Sequence, residues 1–430
     1  MPQFVPFRGL RYTAAAGPLS ELLAPPYDVI STAQQAALGD RNERNAVRLE
    51  LAEGGEERYA RVTALLEQWL RSGFIERDPA DMFYVYEQSF VEEGEAFTRR
   101  ALVAAVEAQP WEEGAVKPHE FTMSGPKEDR LRLLEATGTQ FSPVFMIARD
   151  RAGQLRQFID DTIASRAPDA EGTTIDGEGH RLWAIEASGY EMRRLAPLLA
   201  ESFYIADGHH RYETAVTYRQ RLAERGVEIP RDHPARFTMT AIVAAGDPGL
   251  VIRPIHRIVP RPAPAHWAEA LSDAFDVAPA GSAEALSARP EEIARLLAEG
   301  PGTIIALNAE PGRAHCLRLR RAEVLAGRLP AGRSERWAAI APNVLRYGVL
   351  EPLWGIGDAE LKAGAVEYTH DSAEAFAAAA AGPGACAFLI NHVGVAEVMA
   401  LADQGERMPQ KSTFFHPKLG TGLVFYPLYS

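Results

Sequence analysis

Apolar residues recur at helical spacing from Glu57 to Ser72, with Leu65, Trp69 and Leu70 forming one stripe. Met82 to Gln88 and Thr98 to Ala108 instead read as strands, and the acidic turn Glu92-Glu93-Gly94-Glu95 between them predicts a hairpin. From Pro126 a helix is signalled by proline in the first turn, Glu128 and Asp129 near the positive end, and apolar Leu131, Leu133 and Leu134 behind them. Gly138 is placed to end it. Phe203 to Ala206 reads as a short buried strand. Tyr212, Ala215, Val216, Leu222 and Ala223 then follow at helical spacing, with Arg219, Arg221, Glu224 and Arg225 on other faces. The polar cluster Asp207-Gly208-His209-His210-Arg211 falls at that strand-to-helix turn.

Further on, a proline-rich run from Arg253 through Pro264 precedes an Ala- and Glu-rich region read as helices near 266 to 300. A last helical pattern from Val395 to Ala402 stops at Gly405. These elements predict an α/β (α+β) protein with mixed sheets, and 430 residues are too many for one hydrophobic core. Three domains are expected: an N-terminal α/β region over 1–95, a central domain carrying the 207–211 cluster over 96–262, and a C-terminal α/β domain over 263–430.

Charge narrows the partners. With 45 Lys+Arg against 58 Asp+Glu, the formal net charge of −13 argues against an electrostatic grip on nucleic acid or an anionic membrane. A small-molecule partner is expected. Cys316 and Cys386 are too few for a disulfide framework or a thiol zinc site, so reduced structural cysteines are expected. The start Met1-Pro2-Gln3-Phe4 lacks a basic region before an apolar core, and the apolar stretch Phe376 to Ile390 is broken at Gly382-Pro383-Gly384. It is also shorter than the roughly 20 residues that span a bilayer, so a cytoplasmic protein is expected.

A strand that delivers Asp-Gly to the first turn of a helix leaves backbone N–H groups and the positive helix end pointing at a ligand, for which phosphate is the natural guest. Gly208 allows close approach, His209 and His210 offer donors, and Arg211 can hold two oxygens through its planar fork. Asp207 would orient a hydroxyl or bind Mg²⁺. The alternative is structural: Asp207 capping the helix, Gly208 relieving the turn, and the histidines satisfying backbone groups. Zinc is disfavoured, because ligands on one helical face are usually spaced by three or four residues. Neither GxxxxGK[ST] nor GxGxxG occurs, so any phosphate cradle is of another kind.

Six ordered strings carry a resemblance: Ala24-Pro25-Pro26-Tyr27-Asp28, Asn45-Ala46-Val47-Arg48-Leu49, His119-Glu120-Phe121-Thr122, Pro126-Lys127-Glu128-Asp129-Arg130-Leu131, Ile205-Ala206-Asp207-Gly208-His209-His210-Arg211-Tyr212 and Met408-Pro409-Gln410-Lys411-Ser412-Thr413. The sequence resembles, over nearly its whole length, the family catalogued as domain of unknown function 1015. More distantly, the Asp-Gly-His-His-Arg turn is similar to the phosphate-handling motif of the ParB/sulfiredoxin-like superfamily, which includes free serine kinases. That likeness implies a ParB/sulfiredoxin-like central domain, with Asp207, His210 and Arg211 catalytic, Gly208 and His209 on phosphate, and Mg²⁺ with ATP or ADP as cofactor.

The resemblance also gives Glu120 the role of base toward the substrate hydroxyl and sets His119 beside it. A loop carboxylate or a partner of Lys127 or Arg130 is the other reading of Glu120. Lys411, Ser412, Thr413 and Lys418 are expected to supply polar contacts to nucleotide or substrate. Arg48, in the strand-like run Val47-Arg48-Leu49, needs a ligand or a buried carboxylate. Asp28 and Arg257 are further candidates. The expected activity is nucleotide-dependent phosphoryl transfer to a small hydroxylated metabolite, with serine one example; a phosphomonoester hydrolase or a nucleotide-binding regulator are the alternatives.

Overall fold

The structure is a computed structural model that describes residues 3–121, 125–381 and 384–429. Thr122 of the expected His119–Thr122 string and the Gly382-Pro383 break lie outside the described residues. Two compact units divide the chain: residues 1–118, 122–251 and 417–430 form the first, and residues 119–121 and 252–416 the second.

In the first unit the described residues build a mixed sheet from β1 (Phe4–Val5), β2 (Met82–Glu92), β3 (Glu95–Glu107), β4 (Val116–Lys117), β5 (Val144–Ala148), β6 (Ala170–Thr173), β7 (Gly179–Glu186), β8 (Phe203–Asp207) and β9 (Phe237–Ala244). The strand order is β4-β8-β5-β9-β3-β2-β7-β6, with β1 beside β3. β2 and β3 pair from Glu92↔Glu95 to Tyr84↔Val103, the hairpin expected from the acidic turn. The same pairing corrects the expected boundary at residue 95, because a tight turn inside one ladder cannot separate domains. β8 lies parallel to β4 and antiparallel to β5. Its Phe203, Tyr204, Ile205 and Ala206 are all buried, as a strand covered on both faces requires. Phe83, Val85, Leu102, Met146, Phe158, Trp183 and Ile205 share its core.

The helices that concern the site are α1 (Thr32–Arg41), α2 (Val47–Glu50), α3 (Arg58–Arg71), α4 (Gly125–Thr137) and α5 (His209–Glu224). On α3 the buried stripe is Val62, Leu66 and Trp69, an i, i+4, i+7 set, while Leu65 and Leu70 flank it half-buried. With Leu38, Val47, Leu49, Phe141 and Phe425 that stripe makes a second core of the first unit. The strand reading of Val47-Arg48-Leu49 is corrected: α2 is a single helical turn that buries Val47, Leu49 and Glu50 and leaves Arg48 exposed. Arg48 Nη2 donates to Gly39 O at 2.8 Å, so the cation carries no burial cost that a ligand must repay.

The second unit holds a six-stranded sheet from β10 (His256–Val259), β11 (Phe275–Ser282), β12 (Ile304–Leu307), β13 (Arg313–Leu319), β14 (Glu367–Thr369) and β15 (Cys386–Ile390), in the order β11-β13-β12-β15-β10-β14. Leu286, Ile305, Leu307, Cys316, Phe376 and Leu389 form its core. β11 interrupts the run read as helices near 266 to 300; its small residues sit half-buried on a sheet edge, where alanine content conceals a strand. The domain expected over 263–430 is likewise corrected. The second unit begins near residue 252 and ends at His416, after which the chain rejoins the first. Cys316 and Cys386 are buried free thiols, and no helix among the described residues is long and apolar enough to cross a membrane.

One buried histidine makes the first unit sensitive to acid. His180, on β7, stacks on Tyr86 at 5.9 Å, and its Nδ1 lies 2.8 Å from the Tyr86 hydroxyl. Burial, helped by the Arg99 charge, pushes the imidazole down from 6.5 to about 3. The unfolded chain therefore binds the extra proton first, and stability falls as pH drops through 6.5 toward 3, by a few kcal/mol. Guanidinium midpoints measured between pH 7.5 and pH 4 are expected to decline over this range, less steeply for His180→Gln; equal slopes would show that His180 is not responsible.

Candidate functional site

Strand β8 ends in an irregularity: its register with β5 shifts between Ile205 and Asp207. Such a shift re-aims the side chain at the strand end. Gly208 follows at φ +90° and makes no side-chain cap to α5. A Cβ there would meet the Arg211 guanidinium at 3.0–3.1 Å, so conformation and space both call for glycine. The helix begins at His209 and is anchored by Tyr212, which is buried, stacks on Trp111 at 4.6 Å and donates to Gln109 O at 2.9 Å. The turn expected from sequence is thus present, with a glycine rather than a side-chain cap at the start of α5.

Asp207 is held between two cations. Arg211 Nη2 donates to Oδ2 at 2.6 Å, and Lys418 Nζ bonds to Oδ1. Burial alone would raise this carboxyl, but Lys418, Arg211 and His209 outweigh burial and hold it well below the usual carboxylate range. Arg211 Nη1 also donates to Pro143 O at 2.5 Å, which fixes the guanidinium plane.

Lys418 owes its position to a buried network on the sheet. Arg99 Nη2 donates to Pro417 O at 2.6 Å and bonds to Gln88 Oε1, while Gln88 Nε2 donates to Lys418 O at 2.9 Å. Gly420 N donates to the Tyr86 hydroxyl at 3.3 Å. Arg99, 1% exposed, is the group sequence reasoning missed. Its signal was parity: on a two-residue period it shares a strand face with Phe97 and Ala101.

More of the expected strings meet near Arg211. Arg130 lies over the Tyr27 ring at 4.3 Å and pairs with Glu50 at 3.1 Å and with Asp129 at 2.5 Å. Burial pushes the Tyr27 phenol up to about 12 against the pull of Arg211 and Arg130, and Asp28 and Glu50 add to the rise. Arg211 feels the Asp28 charge as well. Neither Glu50 nor Arg130 was singled out as a site residue from sequence: Glu50 falls just past the 45–49 string, and Arg130 reads as a charged position on a helix.

His210 lies in the first turn of α5, and the candidates at 119–120, 257 and 411–413 lie in the second unit. Glu120 Oε1 accepts from Ser412 N and Thr413 N, both at 3.1 Å, and from Thr413 Oγ1 at 3.2 Å. His119 is buried, with Nε2 2.8 Å from Thr413 Oγ1, and its carbonyl accepts from Met408 N at 2.7 Å. Ser412 Oγ donates to Pro409 O at 2.7 Å. Lys411 adopts φ +61° with its side chain exposed, and its carbonyl accepts from Arg257 Nη2 at 2.9 Å. Burial pushes Arg257 down to about 10, with Tyr368 and Glu120 pulling the other way. The structure therefore joins the 119–121 and 408–413 strings, with Glu120 capping the 412–413 backbone.

A resident Mg²⁺ at Asp207 does not fit the donor set. Both carboxylate oxygens face cations, and no group of three His, Cys, Asp or Glu side chains suited to a metal occurs among the described residues. Mg²⁺ binding by protein rests on one or two carboxylates completed by phosphate oxygens and water, so any ion here would arrive with a nucleotide.

Comparison with known proteins adds kinship. No curated protein sequence matches the chain. Among solved structures, a conserved hypothetical protein from Pyrococcus furiosus is 14% identical, with 74% of this chain and 93% of that chain covered at a TM-score of 0.34. A free serine kinase in complex with AMP is also 14% identical, covering 73% and 86% at a TM-score of 0.34. SbnI with a C-terminal truncation, from Staphylococcus aureus, is 11% identical, covering 74% and 84% at a TM-score of 0.34. The sequence pattern of one family, described as a protein of unknown function (DUF1015), matches residues 4–325 and stops short of the 408–413 string. That match spans well over half of the 430 residues, and the chain belongs to the DUF1015 family.

Proposed function

We propose that the first unit binds a phosphate group at the Asp207–Arg211 turn and transfers it from a nucleotide to the hydroxyl of a small metabolite. The observation that carries this reading is the start of α5 behind Gly208 at φ +90°, flanked by the Arg211 and Lys418 cations on either side of Asp207. Backbone donors and the positive helix end suit an anion, and a fixed guanidinium suits the charge that spreads over a transferring phosphoryl group. Asp207 keeps the two cations in place without neutralising them fully, since one carboxylate faces two positive groups.

In the transfer itself the acceptor oxygen bonds to phosphorus, the bond to the nucleotide's bridging oxygen breaks, and the nucleotide leaves with that electron pair. The resemblance assigns the hydroxyl proton to Glu120. That residue belongs to the second unit and already accepts three hydrogen bonds, so the reading is carried without it, the hydroxyl proton passing to an oxygen of the transferred phosphoryl group and from there to solvent.

The test is a ³¹P NMR screen of ATP and ADP with serine and related hydroxy acids, and of phosphoserine alone. A new phosphomonoester signal that Asp207→Asn diminishes supports the proposal. Free phosphate from phosphoserine alone would replace it with a hydrolase, and nucleotide binding without turnover would replace it with a regulator.

A further inference from the structure

One buried cation reaches both halves of the ion pair at the turn. Arg99 stands opposite Gln88 in the β2–β3 ladder and is 1% exposed. Its Nη2 donates to the carbonyl of Pro417, the residue before Lys418, at 2.6 Å, and bonds to Gln88 Oε1. Gln88 Nε2 in turn donates to Lys418 O at 2.9 Å and to Glu178 Oε2 at 2.8 Å. The Arg99 guanidinium also lies over the Phe145 ring at 4.8 Å. Phe145 is the β5 residue that pairs with Asp207 in the β5–β8 ladder.

A guanidinium buried so deeply needs a reason. Taking its charge out of water is unfavourable, and an apolar side chain of similar size commonly serves stability as well or better. Burial pulls Arg99 down from its ordinary value, against the pull of Tyr86, Glu178, Asp247 and Asp207.

Docking of the C-terminal segment does not supply that reason. Residues 417–430 are tied to the rest of the first unit by backbone bonds between Ala24 and Thr421, Leu10 and Phe425, and Gly138 and Leu428. Leu423, Val424, Phe425 and Tyr426 are buried as well. What Arg99 and Gln88 hold, and those bonds do not, are the two carbonyls that flank the Lys418 Cα. Fixing both peptide groups fixes the direction in which the side chain leaves the backbone. The flexible four-carbon stem of a lysine then has to be ordered only beyond that point.

We infer that Arg99 is a positioning residue for the turn, orienting the Lys418 backbone from within the core, through Pro417 O and Gln88, so that the ammonium meets Asp207. That this positioning tunes phosphate affinity rests on the function proposed above; the hold on Lys418 does not. Arg99 is itself too buried to touch a ligand.

Two readouts on the full chain separate positioning from a merely structural role. The first needs no ligand: acetylation of lysines by an amine-reactive ester, mapped by mass spectrometry, with the exposed Lys411 as internal reference. In wild type Lys418, whose side chain is 13% exposed and paired with Asp207, is expected to react several-fold more slowly than Lys411. Arg99→Met and Gln88→Leu are expected to bring Lys418 close to the Lys411 rate, with far-UV circular dichroism and cooperative unfolding retained. The second readout is calorimetric titration of inorganic phosphate into wild type, Arg99→Met, Lys418→Met and the double variant. Each single variant is expected to bind about tenfold more weakly, the worth of one hydrogen bond to a charged group. The double variant is expected to bind no more weakly than Lys418→Met, because Arg99 acts only through that lysine. Gln88→Leu carries the same comparison should Arg99→Met not fold. Unchanged Lys418 reactivity in the folded variants, or additive losses in the double variant, overturns the inference. A freed Lys418 with no phosphate binding in wild type would uphold the positioning role and remove the phosphate-handling function; phosphate binding in wild type with Lys418 equally slow in every variant would do the reverse.

Discussion

Arg211→Ala is expected to lower phosphoryl transfer by about 10³-fold or more while leaving the fold in place, the scale on which a guanidinium that stabilises a transferring phosphoryl group acts. The argument is local. Arg211 is fixed at two points, by Pro143 O and Asp207 Oδ2, so its fork is oriented before any ligand arrives. Preorganised charge of this kind stabilises a transition state without reorganisation at the moment of reaction. Arg211→Lys keeps the charge and loses the planar fork, and is expected to recover phosphate binding more than turnover. Transfer rates measured with the donor and acceptor found by NMR decide the matter. Full activity in the alanine variant would remove the turn from the chemistry.

The second large effect is on stability. Lys418→Met takes away one of two cations from the Asp207 carboxylate, whose side chain is 16% exposed against 13% for Lys418. Removing one partner of a mostly buried pair costs on the order of 3 kcal/mol, because the remaining charge is left under-compensated. Adding Asp207→Asn to Lys418→Met is expected to return a good part of that loss, which a double-mutant cycle reads directly. The pH dependence has a definite sign. The folded carboxyl titrates well below its ordinary value, so the contribution of the pair is full above the unfolded carboxylate range and fades as pH falls through the folded value. The gap between wild type and Lys418→Met should therefore narrow in acid. A gap independent of pH would mean that Lys418 acts through packing instead.

How far the sequence foretold this site depends on how far apart its parts are. The turn was legible because everything that makes it is contiguous: the buried run Phe203 to Ala206, a glycine that must adopt φ +90°, and the amphipathic helix from His209. The β2–β3 hairpin was legible for the same reason, as were the Gly138 and Gly405 helix ends, both with positive φ. Arg48 misled because a four-residue helix is too short to show its period, and an arginine between valine and leucine reads equally well as a buried strand. Strand β11 was concealed by alanine, which carries no strong preference on a half-buried edge. Lys418 meets Asp207 across 211 positions, and Glu120 meets Thr413 across 293; no spacing rule reaches that distance. The course of the chain between its two units was hidden as well, since no Gly- or Ser-rich linker marks the passage at His416-Pro417.

That passage sets an order in time. Residues 417–430 complete the first unit through Leu10, Ala24 and Gly138, which bond to Phe425, Thr421 and Leu428, and they arrive in sequence only after the whole of 252–416. Closing so long a loop adds little to the equilibrium cost, since each doubling of loop length costs only about 0.6 kcal/mol. It weighs on rate, because contacts at great sequence separation form late. Refolding is thus expected to pass through a species in which the central strands are protected from hydrogen exchange while Asp207 still lacks its lysine, with the last step in folding being the one that arms the turn.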